Sequence, residues 1–277
     1  MSEERSPTMH KIARLFLAAG AAVFLTACQP TVPASSHSAA KASASSRSSE
    51  KEAASASSSQ DMSALSPKDA LAAVNTQLTQ TLLGTLYLLK TPPKSGYWQV
   101  NSLTSGDVHI LQYTASDTGQ DVQKDSSPDW QYQLTWRDYT SSDTAAAAVN
   151  AEPVQSGLPT VKLGDNVTAT QAGGPTARYL HWADDKWVLT VQDSSTHDEA
   201  QPLAVKVVSQ LAKTTLPVPT DKGAVTLVVP AADTSGQQVV WNDGERLFTF
   251  TGQDALATLK QAAALSKTQG AAAEAGD

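Results

Sequence analysis

The sequence predicts an α+β fold: antiparallel sheet or sheets with packed helices, carried behind a signal segment and a disordered tether. Three observations predict it. Apolar residues recur at helical spacing from residue 66 to 89. The period then changes to two from Tyr97 onward. Finally, two stretches offset by 59 residues repeat the order strand, strand, tight turn, strand, helix.

The first element is a leader. Residues 15–24 are apolar, Lys11 and Arg14 precede them, and Leu25-Thr26-Ala27-Cys28 follows. A basic start, a short apolar run and small residues before a cysteine are the pattern of a bacterial lipoprotein signal. Residues 1–27 are then the signal peptide and Cys28 the lipid attachment site. The run is too short for a transmembrane helix, which needs roughly 20 apolar residues. Glu3 and Glu4 spoil a basic start, so Met9 is a competing start to Met1. Cys28 is the one cysteine of the chain, so the mature domain is expected to hold neither disulfide nor reactive thiol. Acyl chains such as palmitate, at about 0.8 kcal/mol per buried CH₂, would fix it to the membrane.

Charge narrows the partners. The formal net charge is −7, and residues 1–27 carry a net +1, leaving −8 for the rest. Such a chain has no basic face for nucleic acid. Nor would charge hold it to anionic lipid, so the anchor must do so.

Residues 28–64 carry the anchor and a Ser/Ala-rich stretch without aromatic residues. That composition cannot bury enough apolar surface to offset ordering entropy. As a flexible tether of about 36 residues it would span on the order of 30–35 Å.

Order is expected from residue 65 to 267. Ser66-Pro67-Lys68-Asp69 is a helix start, with a hydroxyl cap, Pro at the first position and an early acid. Leu71, Val74, Leu78, Leu82, Leu86 and Leu89 form one apolar face, and Pro92-Pro93 is the expected stop. Strands are expected at 97–102, 107–114 and 130–139, with a polar loop over 116–129. Residues 143–150 read as a short helix capped by Ser142 or Asp143.

The repeat sets Trp182 over Trp241 and 188–191 over 247–250 without a gap. Asp184-Asp185 and Asn242-Asp243-Gly244 supply residues that tolerate a tight hairpin. Helices are expected from Pro202 to Lys213 and from Asp254 to Lys267. Repeat-like units then fall near 97–151, 161–213 and 220–267, with a flexible tail over 268–277.

Residues Tyr179-Leu180-His181-Trp182, Lys186-Trp187-Val188-Leu189, 204–208, Leu216-Pro217-Val218-Pro219 and Val240-Trp241 carry a resemblance to a lipoprotein family of unknown function from lactic acid bacteria. It covers roughly 161–265. The resemblance implies a Gram-positive envelope location and a domain extent. It carries over no activity and no binding residue.

Chemistry is sparse. His109 and His181 sit in strands beside apolar residues and read as structural; His37 lies in the tether. Residues 193–199 combine His197, hydroxyls and three acids, but lack the spacing of a calcium loop and suit a helix cap. No nucleophile elbow, zinc motif or phosphate loop occurs. The expectation is a non-enzymatic binding or interaction module without cofactor or metal. It would sit lipid-anchored on the extracytoplasmic face of the cell membrane and engage an unknown envelope protein or glycan. The alternatives are carbohydrate binding through exposed Trp residues, or an extracytoplasmic enzyme.

Overall fold

Helix α1 (Pro67–Thr81) starts where the sequence places it: the Ser66 side chain accepts from the Asp69 backbone and Pro occupies the first turn. It buries Ala70, Leu71, Val74 and Leu78. It ends earlier than its spacing suggests. Leu82 is extended and Gly84 has a positive φ of 72°, a conformation favouring glycine. Leu86 and Leu89, expected on the helix face, therefore lie in strand β1 (Thr85–Leu89).

The computed structural model describes residues 61–127, 129–174, 177–193, 198–229 and 236–272. All belong to the C-terminal unit Ser55–Asp277. Cys28, the tether up to residue 60, His197 and residues 273–277 lie outside the described residues. The folded part begins before the expected residue 65. Asp61 bridges to Gln120 and Met62 is buried in the core, the large apolar side chain that the Ser/Ala composition upstream lacks.

A ten-stranded sheet is built from β2 (Tyr97–Ser105), β3 (Val108–Ser116), β4 (Tyr132–Asp138), β5 (Thr160–Lys162), β6 (Thr168–Gly173), β7 (Arg178–Asp184), β8 (Trp187–Asp193), β9 (Gly223–Val229), β10 (Gln237–Asp243) and β11 (Arg246–Gly252). Its order is β2-β3-β4-β11-β10-β9-β8-β7-β6-β5. Every pairing is antiparallel except β8 with β9. The edge strand β5 is an addition to the expected strands. Helix α2 (Ser142–Ala148) follows β4, α3 (Ala200–Leu211) follows β8 and α4 (Ala255–Ala263) follows β11.

Several boundaries move. The cap of α2 is Ser141, one residue before those expected, because its side chain and that of Thr144 satisfy each other's backbone N–H. Helix α3 starts at Ala200, ahead of Pro202, and ends at Leu211. Helix α4 stops at Ala263. Residues Leu265–Gln269 form β12, pairing with β1 as a separate two-stranded sheet. Thr268 and Gln269, placed in the tail by sequence, thus belong to a strand.

One face of the large sheet presents the core: Trp98, Leu111, Trp136, Phe250, Trp241, Val225, Leu189 and Trp182 alternate inward along successive strands. Helices α3 and α4 cover it, and Tyr87 of β1 stands edge-on against Trp241 and Phe248. Helix α2 packs instead on the opposite face, where Ser142 and Asp221 meet the buried amide of Asn242. That amide's bond, then Ser142, holds the exposed Asp221 carboxyl below its usual range.

Candidate functional site: a polar trough on the outer face

The outer face carries the site. Because side chains alternate along a strand, the residues between the core positions point away from α3 and α4, onto the face that α2 partly covers. Register places one of these from each of nine strands in a single line: Asn101, Gln112, Gln133, Thr251, Gln238, Thr226, Thr190, His181 and Thr170. Every member is polar and none carries a formal charge at neutral pH. At about 4.8 Å between strands, eight steps make a row of about 38 Å.

The row is hydrogen-bonded at both ends. Gln112 donates through Nε2 to Gln133 Oε1 (3.0 Å), and Ser127 N–H donates to Gln112 Oε1 (2.9 Å). Asn101 Nδ2 donates to the Asp125 carbonyl. Asn101 and Gln112 are therefore buried under the loop after β3, whereas the rest of the row is partly open. At the other end His181 Nδ1 pairs with Thr190 Oγ1 at 3.0 Å, and Tyr179 stacks on the imidazole at 5.9 Å.

Residues after α2 form a wall over this end. Asn150, at φ 52°, leads into Ala151, Glu152 and Pro153. Together with Tyr179, His181, Thr190, Gln192 and Thr226 they enclose a trough of about 470 Å³. Partial burial lowers the pKa of His181, against the weaker opposing pull of Glu152. The imidazole is thus neutral at neutral pH, with Nδ1 engaged and Nε2 left to exchange a hydrogen bond with a ligand.

Of the residues weighed from sequence, His181 lines the trough, half-buried. His109 is on the core face, stacked on Trp136 at 5.1 Å. In the cluster 193–199, Asp193 is buried and accepts from the Glu199 backbone at the entry to α3. Among the described residues no group of His, Cys, Asp or Glu could hold a metal ion, and no helix is long and apolar enough to cross a membrane. Of the six Trp side chains five are buried; only Trp130 is partly exposed. Stacking on several exposed Trp rings is therefore not how this molecule would hold a glycan. Sequence reasoning missed the row because each member is an ordinary outward residue of its own strand.

No family model matches the chain, and the searches of curated proteins and of solved structures each find no match.

Proposed function

We propose that this protein is a lipid-anchored binding module on the extracytoplasmic face of the cell membrane, and that its ligand lies along the outer-face trough. The observation that carries the site is the uncharged polar row. Amides, hydroxyls and one neutral imidazole both donate and accept, which suits a ligand rich in hydroxyl and amide groups. The seven partly open members, from Gln133 to Thr170, still make a row long enough to suit an extended ligand, so a wall glycan is the reading we favour within the binding class. The anchor rests on Leu25-Thr26-Ala27-Cys28, and the resemblance to lipoproteins of lactic acid bacteria agrees with it. Catalysis has less support: Thr190 is a mid-strand residue whose bond to His181 is the ordinary cross-strand pair of two facing residues.

We also infer that the meanders arose by duplication. The seven pairs of β7 with β8 fall on the seven pairs of β10 with β11 after a shift of 59 residues. The first strands do not share this register: Thr170 faces His181, whereas the shift would require residue 229 to face 240, and Val240 faces Ala224. The proposed copies thus agree in their hairpins and differ in how the first strand joins.

Two experiments test the function. Cells fed a labelled fatty acid should label the parent chain and not Cys28→Ala; label retained in the variant refutes the anchor. In a pull-down on purified wall polysaccharide, the parent should be retained, and Thr190→Lys should lose at least tenfold in retention at an unchanged melting temperature. Equal retention of parent and variant refutes the trough.

A further inference from the structure

A second concavity lies on the opposite, helix-covered face, and nothing in the binding reading above uses it. It is a groove of about 840 Å³ between α4 and the loop joining β1 to β2, within the range of small-molecule sites of roughly 300–1,000 Å³. Its lining is mostly apolar, with Pro92, Pro93, Trp98, Tyr132, Ala257 and Ala263, and Ser95, Gln131 and Gln261 are among the polar residues beside them. The aromatic wall is rigid. Trp98 donates through Nε1 to the Thr91 carbonyl at 3.0 Å, stands edge-on to Tyr132 at 5.8 Å, and Tyr132 stacks on Phe250 at 5.7 Å.

The charged lining residues are Lys94 and Lys260, and among the described residues no acidic side chain lines the groove. Both lysines are exposed, and among the described residues neither makes an ion pair. That is unusual in a chain with 27 acidic against 20 basic residues. Lys260 has a structural reason to be where it is, since it faces the C-terminal dipole of α4. Lys94 sits in a loop and has none. Asp254, the exposed cap of α4, acts on the Tyr132 phenol. Burial and that carboxylate raise the Tyr132 pKa, so the phenol remains a donor.

We propose that this groove binds a single-chain anionic amphiphile, a long-chain fatty acid, with its chain along Pro92, Trp98 and Tyr132 and its carboxylate held by Lys94 and Lys260. A mostly apolar lining with two exposed cations that make no ion pair among the described residues is complementary to such a molecule in polarity and charge. A neutral lipid would leave the cations unused, and a small anion would leave the apolar wall unused.

The test uses the full chain as Cys28→Ser, so that its own acyl chains do not compete. Oleate, below the concentration at which it self-associates, is titrated while tryptophan fluorescence is followed. Saturable one-to-one binding is expected. Lys94→Gln with Lys260→Gln should weaken it about tenfold, or about 1.4 kcal/mol, and oleyl alcohol should bind the parent as weakly as oleate binds that variant. Ala257→Phe should block both ligands. If the double variant melts lower than the parent, Lys94→Gln alone is decisive and should weaken oleate in the same sense. Equal affinities for oleate and the alcohol, indifference to the lysines, or displacement of oleate by acetate would each overturn the proposal.

Discussion

Trp241 is fully buried between Tyr87, edge-on at 5.1 Å, and Phe248, stacked at 5.2 Å. Among the described residues its indole Nε1 has no acceptor; the Tyr87 hydroxyl is near, but donates to Asp243 at 3.0 Å and forms no regular bond with the indole. Burial, and then the Asp243 carboxylate, raise the Tyr87 pKa, so its phenol stays a donor. Trp182, at the matching place in β7, is equally enclosed, at 3% exposure. Truncating such a side chain removes its burial and leaves a cavity, usually costing about 3–5 kcal/mol, against a typical total of roughly 5–15. Trp182→Ala and Trp241→Ala should each melt far below the parent in thermal denaturation. Trp241→Phe should lose much less, because no hydrogen bond is given up. Melts of both alanine variants that overlay the parent would mean these rings are not core.

At the scale of elements, what was legible in the sequence was what is local. The Ser66 cap, the alternation of 97–114, the Asp184-Asp185 and Asn242-Asp243-Gly244 turns and the burial of Trp182 and Trp241 follow from residues near one another. What was not legible depends on partners far away in the chain. Leu86 and Leu89 continue the helical spacing of Leu71 to Leu82, yet they pair with residues 268 and 265. Nothing within either segment names the other, and each is too short for its period to decide between helix and strand. Arg246 then ties the small sheet's entry to the large one. It pairs with Asp138 through two nitrogens and donates through Nη1 to the carbonyls of Leu83 (3.0 Å) and Thr85 (2.6 Å). The trough was hidden for the same reason: alternation told which residues point outward, but only the register of eight pairings lines them up. His181 looked structural because its strand neighbours Leu180 and Trp182 are apolar; those neighbours face the core, and the imidazole faces away from it.

The whole sheet has one seam, and the most general prediction concerns it. β8 and β9 pair in parallel over seven residues, joining β5 to β8 and α3 on one side to the remaining six strands, α2 and α4 on the other. Parallel ladders are slightly weaker per residue than antiparallel ones, so other contacts must reinforce the junction. Lys186 donates to the carbonyls of Pro219 and Thr220, Gln210 of α3 donates to the Leu256 carbonyl in α4, and the core cluster runs unbroken from Trp182 across to Trp98. Gly223 sits at the start of the seam. It pairs with Trp187 on one side and Trp241 on the other, and a Cβ there would come within 2.5 Å of the Trp187 ring. The indole occupies the space that a side chain would need. Gly223→Ala must therefore displace Trp187, and overpacking of this kind typically costs about 1–3 kcal/mol. Because the strain falls on the junction, its effect should exceed a lower melting temperature: the parent should unfold in one transition, and the variant should broaden or split as the β5 to β8 side separates first. Differential scanning calorimetry of parent and variant reads both. A Gly223→Ala variant that melts in one transition at the parent temperature would mean that Trp187 moves aside freely, and that the seam is not where the two sides are held together.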